Sequence, residues 1–203
     1  MPSKNTKTIM KLFKYFAVIV LLCIATLVSA QQTPHLTFKG VPICGTLKEF
    51  SNKMVAKGLT IVGSAKEGVV FSGSFATYSR CSIIATLVPP SNEVTNVLVM
   101  FPNNEEWSDL ESNYFSIKSM LQEKYGESKE CVEEFDGGVP KDDYSKMMAV
   151  RFDKLKCQTI YEIEGGSIAL AITKGPAGEP VVVLNYHDGV NDEQNRKRAL
   201  EDL

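Results

Sequence analysis

Two places in the chain combine residue types that could carry out hydrolysis. The stretch Gly165-Gly166-Ser167-Ile168-Ala169 has the glycine and serine spacing of a nucleophile elbow. An elbow presents its serine by turning a strand sharply into a helix. Both flanks here have strand character, so the spacing predicts a tight hairpin instead. His187, in Asn185-Tyr186-His187-Asp188, lies within the expected folded body beside a carboxylate that could orient a base. Neighbours in a strand point to opposite faces, which keeps His187 and Asp188 from working together. A small envelope hydrolase using Ser167 or His187 is therefore the alternative reading, and no catalytic residue is assigned.

Other chemistry is thinly represented. Carboxylates cluster at Glu105-Glu106, at Glu133, Glu134 and Asp136, at Asp142-Asp143 and from Asp188 to Glu193. A calcium loop needs oxygen ligands at alternating positions around a turn glycine, and the run from Asp188 departs from that register, so these groups read as solvated loops. The sequence has no phosphate loop, dinucleotide fingerprint or H-E-x-x-H motif. No cofactor and no metal are expected.

Residues 11–30 read as a basic start, an apolar run from Phe16 to Val28, and Val28-Ser29-Ala30 with small residues where a signal peptidase reads. A signal peptide over 1–30 with cleavage between Ala30 and Gln31 is expected, and an uncleaved anchor is the alternative. Leu22 before Cys23 excludes a lipoprotein signal, because lipid attachment needs a small residue there. Export places Cys44, Cys81, Cys131 and Cys157 in an oxidising compartment, where an even number of cysteines favours disulfides over metal ligation. Four cysteines allow three pairings; Cys131 with Cys157 and Cys44 with Cys81 keeps each bridge inside one half of the chain. Their loops, of about 26 and 37 residues, would each stabilise by about 3 to 4 kcal/mol.

With 203 residues, 44% hydrophobic and 23% charged, the composition is that of a globular protein with a core. Removing Lys4, Lys7, Lys11 and Lys14 with the signal leaves 18 basic against 24 acidic residues, a net charge of −6. An acidic product without a basic stripe is not a nucleic-acid binder.

The elements that must position any site fall into two similar halves. Thr46-Leu47-Lys48-Glu49 is a capping box, and Leu47, Phe50, Met54 and Val55 form one apolar stripe closed by Lys57-Gly58. Ser108-Asp109-Leu110-Glu111 has the same form, followed by Leu110, Tyr114, Ile117 and Leu121. Strand segments follow each helix: 59–62, 69–77, 81–88 and 94–101 in the first half, and 129–135, 147–153, 158–164, 167–173 and 181–186 in the second. The predicted fold is α+β, two helix-plus-antiparallel-meander units over 31–104 and 105–203. Helices cover one face of the sheet, and a short helix ends the chain over 191–203. Among the aromatics, Phe75, Tyr78, Trp107 and Tyr144 are candidates for an interaction patch.

Several stretches carry a resemblance: Leu36 to Ile43 leading into Gly45 to Phe50, Gly73 to Tyr78 with Cys81, Trp107 to Leu110, Lys124 to Gly126, Glu130 to Phe135 and Ala199 to Leu203. Together they resemble a group of small exported proteins of Bacteroidales-type gut bacteria that carry no assigned activity, with a departure at Cys44, where those proteins commonly have an acidic residue. The tandem helix-plus-meander order is also similar, at fold level only, to beta-lactamase inhibitor proteins. The resemblance implies export and fold. With the missing catalytic set, the sequence leads to a non-catalytic binding protein, periplasmic or secreted and without a membrane anchor after cleavage. Its partner would be an envelope or extracellular protein or a small ligand.

Overall fold

A computed structural model describes residues 34–87 and 92–190, together with Arg196 and Leu200. The expected signal peptide and its Ala30–Gln31 cleavage site lie outside the described residues, as does most of the expected terminal helix. The chain opens with a hairpin of β1 (Thr37–Phe38) and β2 (Val41–Pro42). Its turn residues Lys39 and Gly40 both have positive φ, the backbone that a two-residue hairpin matching strand twist requires. Then come α1 (Leu47–Ala56), β3 (Thr60–Ala65), β4 (Gly68–Phe75), β5 (Tyr78–Leu87) and β6 (Val94–Met100). The second half contains α2 (Trp107–Tyr125), β7 (Glu130–Phe135), α3 (Asp143–Arg151), β8 (Leu155–Ile163), β9 (Gly166–Lys174) and β10 (Pro180–Asp188).

Strands β3 to β10 form one antiparallel sheet in the order β3-β4-β5-β6-β10-β9-β8-β7. Each half contributes a meander, and the two meanders meet where β10 pairs with β6. The fold class is the predicted one. A single register row crosses all eight strands: Cys131, Thr159, Leu170, Leu184, Val99, Ile83, Phe71 and Ile61. Its six inner members are almost wholly buried, because period-2 alternation turns this whole row toward the helices. Burying each of its large apolar side chains contributes about 1.5 to 3 kcal/mol. α1 covers β3 to β5, while α2 lies over β8 to β10 with α3 beside it. The helices α1 to α3 share one face, and among the described residues no packed helix lies on the other.

The first helix forms as its sequence dictates. Thr46 Oγ1 accepts the Glu49 N–H at 3.3 Å, and Glu49 Oε2 accepts the Thr46 N–H at 3.0 Å, completing the capping box. Phe50 and Met54 are buried, but Val55, assigned to the same stripe, is exposed. α2 departs at its start: the Leu110 N–H already bonds the Glu106 carbonyl, so Ser108 sits inside the first turn and its capping box does not form. The earlier start adds two residues and buries Trp107 ahead of Leu110, Tyr114, Ile117 and Leu121.

Residues 147–153, expected as a strand, belong instead to α3. Asp142 is the reason: its carboxylate accepts the Ser145 N–H at 2.8 Å and the Ser145 hydroxyl at 2.9 Å, which starts a helix over good helix formers. Among the described residues no helix is long and apolar enough to cross a membrane.

Candidate interaction surface

Trp107 and Tyr144 come together at the packed ends of α2 and α3. Trp107, only 3% exposed, lies 5.6 Å from the Phe135 ring, and the Lys146 ammonium stands 5.6 Å above it. α3 buries Met147, Ala149 and Val150 and turns Tyr144 and Phe152 outward, on either side of half-buried Met148. These three recur every four residues, so they form one stripe along the helix. Tyr144 is 74% exposed, Val139 71% and Phe152 64%.

A cleft of about 470 Å³ separates the start of α2 from α3. Trp107, Met147 and Met148 supply its apolar lining, Glu105, Glu106 and Asp143 its acidic edge, and Arg151 a single cation. A second depression of about 240 Å³ shares Tyr144 and Met148 with the first and is completed by Phe135, Pro140 and Phe152. Tyr144 and Met148 are thus a ridge between two hollows. Thioether side chains adapt to varied apolar shapes, which suits such a surface to binding.

The other two aromatics named from sequence lie elsewhere. Phe75 stacks on Phe38 with centroids 5.2 Å apart, and Tyr78 meets Phe101 edge-on at 5.0 Å. Tyr186 joins this group, its phenol pushed far up by burial. Phe75 lines a hollow with Phe101, Leu121 and Tyr186, apart from the one lined by Trp107 and Tyr144.

Ser167 and His187 are register partners on the sheet face opposite α1 to α3, and His187 is in turn paired with Asn96. His187 Nδ1 lies 2.8 Å from Asn96 Oδ1. Asp188 points the other way: fully buried, it accepts the Leu36 N–H at 2.7 Å and lies 3.1 Å from His35 Nδ1. His187 and Asp188 therefore serve different faces, as strand alternation requires.

The cysteines require a correction. All four are thiols, and neither expected bridge is present. Cys44 precedes α1, where burial pushes its thiol up against the pull of Lys53, with Glu93, Asp188 and Glu49 adding to the rise. Cys81 is buried on β5 near the Tyr78 carbonyl, in different surroundings. Cys131 and Cys157 share a face of neighbouring strands, but the register sets Cys131 opposite Thr159 and Cys157 opposite Glu133. They are diagonal, and diagonal Cα atoms lie about 7 to 8 Å apart, beyond disulfide reach.

Around that diagonal sits a polar cluster that motif reading does not find. Lys118 Nζ donates to Glu133 Oε1 at 2.6 Å and to Cys131 Sγ at 3.1 Å. Burial works to raise the Glu133 carboxyl, yet hydrogen bonds from Lys118 and Cys131 hold it below the usual range. Burial likewise opposes the Lys118 charge, and the same partners more than compensate. Burial pushes the Cys157 thiol up to about 11. Among the described residues no three His, Cys, Asp or Glu side chains converge as metal ligands. The signal missed for the surface itself was the four-residue recurrence of Tyr144, Met148 and Phe152, visible only once 143–151 is read as helix. Compared with known proteins, the chain matches no family model, no curated protein and no solved structure.

Proposed function

We propose that the protein is an exported, non-catalytic binding module of the periplasm or cell exterior, and that it engages its partner through the α2–α3 surface. Export is read from residues 1–30. The resemblance to exported Bacteroidales proteins agrees with it, and the likeness in layout to beta-lactamase inhibitor proteins adds little, since fold does not carry function. The observation that carries the reading is the stripe of exposed Tyr144 and Phe152 about half-buried Met148, between two hollows. Exposed apolar patches of this kind mark interaction sites, and aromatic residues dominate binding energy at interfaces. The test is affinity capture from envelope extract with the purified protein and with a Tyr144→Ser/Phe152→Ser variant of unchanged circular dichroism. Species retained by the first and lost by the second support the reading; equal retention by both overturns it.

A second reading, a hydrolase using Ser167 and His187, has one observation in its favour: the row Ser167, His187, Asn96 across β9, β10 and β6. Backbone N–H groups there are committed to the sheet ladder, so oxyanion donors would have to come from side chains. Turnover on a hydrolase substrate panel that vanishes in His187→Ala would establish it over the first reading.

A further inference from the structure

We propose that the α2–α3 cleft takes a cationic peptide segment, a lysine or arginine flanking apolar side chains. The proposal rests on the binding reading above and adds the chemistry of the partner. Three carboxylates, Glu105, Glu106 and Asp143, line the cleft against one guanidinium, Arg151. Asp143 is already paired with Lys146 at 3.6 Å, whereas among the described residues no lysine or arginine pairs with Glu105 or Glu106.

The protein also shows how a cation is received here. The Lys146 ammonium lies over the Trp107 ring with the Asp143 carboxylate beside it, so an aromatic face and an acid together hold one positive charge. Glu105 and Glu106 line the same cleft as Trp107 and offer their carboxylates to a second cation. The apolar lining of Trp107, Met147 and Met148 then receives the side chain that follows. A second apolar side chain crossing the Tyr144–Met148 ridge enters the hollow of Phe135, Pro140 and Phe152. Two hollows divided by one ridge fit an extended chain better than a single compact ligand. Complementary charge also favours encounter between an acidic protein and a basic segment.

Trp107 is the only tryptophan in the chain, so its emission reports on this cleft alone. The purified protein is titrated with three capped peptides: Lys-Phe-Gly-Phe-Lys, its Glu-for-Lys counterpart and its Gly-for-Phe counterpart. The first is expected to shift the emission saturably, more weakly as salt rises, and the other two are not. The Glu105→Gln/Glu106→Gln variant, which alters only exposed side chains, is expected to bind the first peptide about fivefold more weakly, from two exposed ion pairs. Equal binding of the acidic peptide, or no change in that variant, overturns the cationic assignment and leaves the binding reading intact. No response to any peptide, with envelope capture still dependent on Tyr144 and Phe152, also overturns it. Loss of both responses removes the binding reading as well.

Discussion

The hydroxyls of Tyr114 and Thr159 lie 2.7 Å apart beneath α2, both side chains fully buried. Tyr114 also donates toward Glu133 Oε1 at 3.1 Å, and burial pushes its phenol far above the usual range. This contact ties the buried face of α2 to β8 through polar atoms in an otherwise apolar layer. Tyr114→Phe leaves the ring in place and strips Thr159 of its closest partner, so it is expected to cost about 1 to 2 kcal/mol. Urea denaturation reads this as a lower midpoint at unchanged slope.

Acid should weaken the fold through Glu133. Its carboxyl titrates below its ordinary value when folded, so its contribution is complete above the unfolded pKa of about 4.3 and disappears as pH falls through the lower folded value. Lys118, raised when folded, contributes fully below about 10.4 and loses that contribution as pH rises through its higher folded value. Both side chains are partly exposed, which limits the pair to about 1 kcal/mol. Urea midpoints of Glu133→Gln between pH 3 and 7 should be flatter than those of the parent.

Thiol reactivity should rank by burial. In reduced, folded protein an alkylating agent is expected to label exposed Cys131 first and Cys44 more slowly, and to leave Cys81 and Cys157 unmodified until urea is added. The Cys157 thiol, pushed up to about 11 by burial, offers almost no thiolate at neutral pH. Peptide mass mapping over time gives the order directly; early labelling of Cys157 contradicts it.

Gly166 opens β9 where the backbone has no room. A Cβ there would run into the His187 carbonyl and the Gly189 amide nitrogen, which are main-chain atoms and cannot swing aside. Gly166→Ala is expected to cost about 2 to 3 kcal/mol, seen as a lower melting temperature.

Much of the architecture was legible in local sequence. Thr46 and Glu49 announced α1 because both halves of a capping box lie within four residues. Ile168, Leu170 and Ile172 announced β9 because its alternation faces a core on one side only. The failures share a cause. Met147 to Asp153 alternates enough to pass for a strand, and the deciding bond, Ser145 to Asp142, lies outside that window. The hairpin of β1 and β2 is too short to show any period. Cysteine number was readable but cysteine separation was not, because the register of β7 on β8 sets it. For the surface, Trp107 and Tyr144 were named from residue type, and only the docking of α3 beside α2 brings them together with Met148 and Phe152.

Within the sheet, the two meanders are joined by the pairing of Met100 with Val183 and of their neighbours, partners far apart along the chain. The seam at the centre of the sheet is therefore closed by its last strand in sequence. A nascent or clipped polypeptide lacking β10 would present β6 and β9 as two raw margins, each a template for another molecule. Closing so long a loop is slow and comes late in folding. A nick after Lys174 should consequently divide the sheet at its middle and drive aggregation, whereas trimming the outermost strand β3 removes only a border.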